Sequence, residues 1–143
     1  GRADVGEVLS RLLVEFEGLP AGAVTVEGEL PEVALSPPDL EVVLVALLEN
    51  AVKFADEERD LEVSVRAEQV GDRWRVVVRD NGRGMTADDV ERIFEPTVRL
   101  DRRVPGMGLG LATVRRLVRS AGGDVGAVST PGAGTEVWFE LQV

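Results

Sequence analysis

The chain has 143 residues, with 16 Lys+Arg against 26 Asp+Glu for a formal net charge of −10, and it contains no cysteine, histidine or tyrosine. Without Cys or His it can build no disulfide, thiolate nucleophile, Ser-His-Asp triad or zinc site of the usual nitrogen and sulfur kind, and it cannot carry a phosphohistidine of its own. The acidic balance opposes the counterion release behind nucleic-acid binding, and no apolar run approaches the roughly 18–20 residues of a membrane span, so neither nucleic-acid nor membrane contact is expected. The length suits a single domain over residues 1–143 with a genuine core.

Val5, Val8, Leu9, Leu12, Leu13 and Phe16 recur at helical spacing and predict an amphipathic helix over 4–17, closed by Gly18 and Pro20. Its apolar face has two uses open to it, completing the core or packing beside a partner domain. Short extended pieces are expected around 23–28 and 32–35. Ser36-Pro37-Pro38-Asp39 then reads as a helix start, with Ser capping open amides and proline placed where its missing N–H costs nothing. That helix is expected over 37–56. Alternation in Leu61-Val63-Val65-Ala67 and Trp74-Val76-Val78-Asp80 predicts an antiparallel hairpin turning at Gly71-Asp72. Thr86 opens a short helix through Phe94, after which apolar periodicity lapses from Glu95 to Pro105. Gly106-Met107-Gly108-Leu109-Gly110-Leu111 leads into a helix with Leu111, Val114, Leu117, Val118 and Ala121 on one face, stopped by Gly122-Gly123. Strands over 124–130 and 135–143 turn at Pro131-Gly132-Ala133-Gly134. The order of elements predicts an α+β, two-layer α/β sandwich: a mixed, mostly antiparallel sheet with its helices on one face.

Three stretches carry chemistry. On the helix over 37–56, Ala46, Asn50 and Lys53 form a stripe apart from the apolar one, so an amide and an ammonium project side by side. Such a pair suits a metal and phosphates, because Asn offers a neutral oxygen to Mg²⁺ and Lys a point charge to a phosphate chain; it suits a solvated helix edge as well. Lys53 is the only lysine beside 15 arginines, and Asn50 is one of two asparagines. Asp80 closes a strand and precedes Gly82 and Gly84, which let backbone approach a flat ligand while the carboxylate accepts an adenine amino hydrogen; an ordinary Asp-Asn-Gly turn is the other reading. Gly106-x-Gly108-x-Gly110 sits at a helix mouth, where free amides receive phosphate. It follows no strand and is no dinucleotide-fold turn, there is no P-loop, and the His-Arg-Asp of eukaryotic-type kinases is impossible here.

Leu47-Leu48-Glu49-Asn50-Ala51-Val52-Lys53-Phe54 resembles the N box of sensor histidine kinases, and Asp80-Asn81-Gly82-Arg83-Gly84-Met85 their G1 box. Ile93-Phe94-Glu95-Pro96 resembles the F box, Gly106-Met107-Gly108-Leu109-Gly110-Leu111 the G2 box, and Gly134-Thr135-Glu136-Val137-Trp138-Phe139 the family's last strand. The resemblance covers almost the whole chain and implies the Bergerat ATP-binding fold shared with gyrase, heat-shock chaperone and mismatch-repair ATPases. It implies ATP and Mg²⁺ as cofactors, with Asn50 as the Mg²⁺ ligand, Lys53 on phosphate, Phe54 beside the nucleoside and Asp80 reading adenine. Gly82, Gly84 and Met85 then shape the base pocket, and Thr135 joins the adenine network. Gly106, Met107, Gly108, Leu109, Gly110 and Leu111 fall to the nucleotide too, within an ATP lid over 95–110. Arg99, Arg102 and Arg103 are phosphate partners or solvated loop residues.

The implied activity is that of a histidine kinase's catalytic domain: donation of the γ-phosphoryl to a histidine on a separate dimerisation domain, which is absent here, and from there to a response regulator receiver protein. No general base on this chain is required, and a cytoplasmic location follows, whether or not the parent chain is membrane-anchored. Two alternatives stand beside it, an anti-sigma-factor type of serine kinase and a nucleotide-gated interaction module without transfer. This chain departs from its relatives at Ala46, where related ATPases place a water-activating glutamate and many histidine kinases an asparagine, so weak hydrolysis is expected. Thr97-Val98 also stands where many relatives have aromatics, and the lid is short.

Overall fold

The structure, a computed structural model, describes residues 1–96 and 110–143. β1 (Ala3–Asp4) pairs antiparallel with β3 (Glu32–Val33) in a small ribbon beside the main sheet. Asp4 also caps α1 (Val5–Glu15): its carboxylate accepts the Glu7 N–H at 2.9 Å, satisfying one of the amides left open at a helix start. The helix stops before the predicted residue 17, because Phe16 turns extended at ψ 120° while its N–H still reaches the Leu12 carbonyl at 2.8 Å. Val5, Val8, Leu9 and Leu12 are buried, and Val14 stands 86% exposed on the opposite side. Of its two possible uses, the apolar face of α1 completes the core, packed against α2.

α2 (Pro37–Lys53) starts as the sequence predicts, Ser36 Oγ accepting the Asp39 N–H at 3.3 Å with proline in the first turn. It ends at Lys53, short of the expected residue 56, for a tertiary reason. Phe54 leaves helical backbone at ψ 16°, and its carbonyl is taken by the Arg83 N–H at 2.9 Å, which ties the helix end to the turn after β5.

Five strands form the main sheet in the order β2-β4-β5-β7-β6. β2 (Val24–Glu27) runs parallel to β4 (Val63–Val70), while β5 (Arg73–Asp80) pairs antiparallel with β4 and with β7 (Gly134–Gln142), and β6 (Asp124–Thr130) pairs antiparallel with β7. The register sets Val78 between Val65 and Val137, and Asp80 between Val63 and Thr135. Because side chains alternate along a strand, Val63, Val65, Val76, Val78, Val137, Phe139 and Leu141 all enter the core beneath the helices. The opposite face carries Arg66, Arg75, Glu136, Trp138 and Glu140; Arg75 pairs with Glu140 and lies 4.1 Å over the Trp138 ring, while Arg66 stands 3.6 Å from Glu136.

α3 (Ala87–Arg92) is capped by Thr86, whose Oγ1 accepts the Asp89 N–H at 3.2 Å; it ends before Phe94, which turns inward and is 8% exposed. α4 (Gly110–Ser120) buries Leu111, Val114 and Val118 against α2 and β6. The result is a two-layer α/β sandwich whose helices cover one face of a mixed, mostly antiparallel sheet. Its connections bring the end of α2, the end of β5 and the start of β7 together at one end of the central strands.

Candidate functional site

Asp80 ends β5 opposite Thr135, and both are buried, at 4% and 2% exposure. Asp80 Oδ1 accepts the Gly82 N–H at 2.8 Å, and the Thr135 backbone N–H also donates to this carboxylate. Loss of water around the acid outweighs both bonds and pushes its pKa above the usual aspartate value. Thr135 Oγ1 lies 2.8 Å from Ser129 Oγ, which donates to the Gly134 carbonyl at 2.9 Å and accepts the Met85 N–H at 2.7 Å. Since the Ser129 proton goes to Gly134, Thr135 gives its own proton to Ser129.

Only glycine fits at two positions of this turn. A Cβ on Gly82 would stand 2.2 Å from the Phe54 carbonyl oxygen, and Gly84, at φ +73°, would drive one to 2.1 Å from the Thr130 carbonyl. The turn is therefore pressed between the end of α2 and the β6–β7 hairpin. Asn81 has a structural part: its side chain accepts the Glu62 N–H at 2.8 Å and donates to the Asp60 carbonyl at 2.9 Å.

A cleft of about 600 Å³ lies beside this cluster, between α2 and α4. Ala46, Asn50, Lys53 and Phe54 face it from α2, and Gly110 and Leu111 from the first turn of α4. Lys53 Nζ is 5.4 Å from the centre of the Phe54 ring, and the Arg83 guanidinium 5.2 Å. The described lining also holds Arg92, Arg115, Arg116 and Arg119, so five cationic side chains with Lys53 meet only two carboxylates, Glu49 and Glu95. In a chain of net charge −10, that local reversal favours an anionic ligand.

The structure thus places the sequence-selected residues in two groups. Asn50, Lys53, Phe54, Gly110 and Leu111 share the cleft, whereas Asp80, Gly82, Gly84, Met85 and Thr135 form the buried cluster. The groups meet at Phe54, and the cleft lining stops short of Asp80. Arg99, Arg102, Arg103, Gly106, Met107, Gly108 and Leu109 lie outside the described residues. Sequence reasoning passed over Ser129, Arg59 and the α4 arginines. The last were visible as a polar stripe at Arg115 and Arg119, one turn apart; Ser129 and Arg59 join the cluster only through tertiary contact.

A model of the family described as histidine kinase-, DNA gyrase B- and HSP90-like ATPase matches residues 36–143. The chain belongs to this family. It is an ATP-binding catalytic domain of the sensor histidine kinase kind, and several of its curated relatives are named sensor histidine kinases. The ATPase domain is 36% identical over 115 residues to the alginate biosynthesis sensor protein KinB of Pseudomonas aeruginosa, covering 80% of this chain and 19% of that protein. It is 41% identical over 113 residues to the sensor histidine kinase AruS of P. aeruginosa, covering 73% of this chain and 11% of AruS. With the adaptive-response sensory kinase SasA of Parasynechococcus marenigrum it shares 31% identity over 150 residues, 99% of this chain and 39% of SasA. Among solved structures it resembles full-length ShkA in complex with AMPPNP, at 34% identity and a TM-score of 0.76 over 99% of this chain and 30% of that one. The mycobacterial sensor histidine kinase MprB, at 24% identity and a TM-score of 0.76 over 99% of this chain and 97% of that one, shares the fold. The ATPase domain spans only a minor part of the curated relatives it matches, between 11% and 39% in these three. Among the described residues no helix is long and apolar enough to cross a membrane.

Proposed function

We propose that this domain binds Mg-ATP with adenine at Asp80 and phosphates in the α2–α4 cleft, and donates the γ-phosphoryl to a histidine on a separate dimerisation domain of the same kinase. The observation that carries the reading is the junction at Phe54, where a buried acid on a glycine turn adjoins a cationic cleft in an acidic chain. Asp80 accepts the adenine amino hydrogen, with Thr135, Gly82, Gly84 and Met85 shaping the pocket around the base. Phe54 lies along the nucleoside, Lys53 meets phosphate, and the first turn of α4 at Gly110 and Leu111 faces the phosphate chain with the positive end of its dipole. Gly106, Met107, Gly108 and Leu109 belong to the same site by their match to the family's G2 box, and Arg99 joins it as a phosphate partner from the lid.

The donor set fits Mg²⁺ held mainly by its substrate. Among the described residues no group of three or more Asp, Glu, His or Cys side chains could cage a metal, whereas the Asn50 side chain offers an oxygen in the cleft beside the phosphate end. Mg²⁺ bound there supplies charge neutralisation to the phosphates. The protein's own contribution is position and electrostatics, which is most of what phosphoryl transfer requires. The acceptor stands on another domain because this chain has no histidine, and the neutral imidazole nitrogen attacks without a base from this chain. Ala46, buried on the cleft wall, offers no carboxylate to activate water, so hydrolysis is slow beside transfer. Use of ATP sets the domain in the cytoplasm, and a response regulator receiver is the next acceptor.

The test has two stages. Calorimetry of the chain with ATP should show Mg²⁺-dependent binding that Asn50→Ala selectively weakens. Radiolabelled ATP should leave the chain itself unlabelled yet label a supplied histidine dimerisation domain with an acid-labile product. An acid-stable label on a serine acceptor, or tight binding with no transfer to any dimerisation domain, contradicts the histidine reading.

A further inference from the structure

Arg59 lies in the loop after α2, outside every motif that resembles the family's boxes. Its guanidinium nonetheless reaches two distant segments and an acid of its own loop. Nη1 donates to the Gly132 carbonyl at 2.9 Å, and Nη2 donates to the Gly82 carbonyl at 2.9 Å and to Asp56 Oδ2 at 3.0 Å. Asp56 is itself fixed by a tight turn, since its Oδ1 accepts the Glu58 N–H at 2.9 Å and its carbonyl the Arg59 N–H at 3.2 Å. The fork therefore springs from a braced base rather than from a free loop.

The two carbonyls it holds border the base pocket. Gly82 is gripped from both sides, its N–H by Asp80 Oδ1 and its C=O by Arg59. Gly132 belongs to the β6–β7 turn, which closes on the same strip of backbone through Gly132 N–H to the Arg83 carbonyl at 2.7 Å. Arg83 N–H in turn bonds the Phe54 carbonyl. One planar cation thus joins the walls around Asp80 without touching the carboxylate.

We propose that Arg59 is a positioning residue for base recognition: by tying Gly82 and Gly132 to Asp56 it holds the turn that aims the Asp80 carboxylate at the adenine amino group. The inference rests on the nucleotide-site reading above and adds a residue to it. A guanidinium suits the task because its fixed fork serves several acceptors at once, which a lysine's single ammonium does not do in the same geometry. Arg59 bears on the base and not on the phosphates, since it is absent from the cleft that Lys53 and the α4 arginines line.

The test is a pair of titrations, Mg-ATP and Mg-GTP, into the unaltered chain, Arg59→Gln and Arg59→Lys, followed by calorimetry, with thermal unfolding of each protein as the check on folding. Guanine presents an acceptor where adenine presents its amino group, so GTP reports binding without the Asp80 contact. In Arg59→Gln, ATP affinity is expected to fall roughly threefold to tenfold, about what one ordinary hydrogen bond contributes, with GTP affinity within about twofold. Arg59→Lys should show the same loss of ATP-over-GTP preference and serves as the reading if the glutamine variant does not fold. Unchanged ATP affinity, or an equal loss for both nucleotides, overturns the proposal. Failure of the unaltered chain to bind ATP overturns the nucleotide-site reading instead.

Discussion

At the scale of single residues, Asp80 is the most informative side chain. It is a carboxylate taken out of water for which two backbone N–H bonds do not fully compensate, an arrangement that a fold selected for stability alone has no reason to keep. Asp80→Ala is expected to cost about 1.5–3 kcal/mol of ATP affinity, roughly tenfold to 150-fold in Kd by calorimetry, the range for a hydrogen bond to a charged group. Asp80→Asn separates recognition from stability. The folded-state pKa of Asp80 is raised above the ordinary value of 3.8, so its favourable contribution is complete below that value and is lost as pH rises through the folded pKa. At neutral pH the ionised acid is a net cost, and the asparagine variant should melt at a higher temperature than the unaltered chain. The gap should close as the pH falls toward 3.8 and below, and a gap that is constant with pH argues against burial as the cause.

The same residues show what a sequence can disclose about a site. Asp80, Gly82 and Gly84 were legible because turn chemistry restricts what can stand there, and Asn50 and Lys53 because helical spacing alone puts them on one stripe. Arg59 and Ser129 were not legible, since nothing local distinguishes an arginine or serine that bonds a distant carbonyl from one that faces solvent. The cleft and the Asp80 cluster adjoin at Phe54, a junction made by tertiary contact that no local pattern records.

At the scale of elements, α1 and α2 have separate duties. α2 carries Asn50, Lys53 and Phe54 into the site on a helix fixed at one end by the Ser36 cap and at the other by the Arg83–Phe54 bond. α1 lies before the residues matched by the family model, yet Leu9 is 1% exposed and sits in the same core. Leu9→Ala should therefore cost roughly 2–5 kcal/mol in denaturant unfolding, the range for deleting a buried leucine side chain. ATP affinity measured on the folded fraction should change by less than about twofold. A stability loss below about 1 kcal/mol argues that α1 is an appendage waiting for a partner. The element boundaries that the periodicity missed have causes that periodicity does not record. α2 ends at Lys53 through a bond from β5's turn, and the two-residue ribbon of β1 with β3 is too short to carry any periodicity.

At the scale of the whole molecule, the sandwich divides the labour between two faces. One face of the sheet is buried under helices, and the other is closed to casual pairing by charged partners such as Arg66 with Glu136 and Arg75 with Glu140 around Trp138. The fold class was legible because alternating strands and amphipathic helices leave few ways to bury both kinds of apolar face. The candidate site lies at the end of the central strands where the ends of α2 and β5 and the start of β7 converge, and there the charge of an otherwise acidic molecule reverses.

The most direct measurement of that convergence is a backbone amide NMR titration of the chain with Mg-ATP. Shifts are expected at Asn50, Phe54, Gly82, Met85, Leu111 and Thr135 together, saturating with a single Kd, while Arg66 and Trp138 on the opposite face stay unmoved. Shifts confined to one of the three stretches, or strongest on the Trp138 face, would contradict a nucleotide held between them.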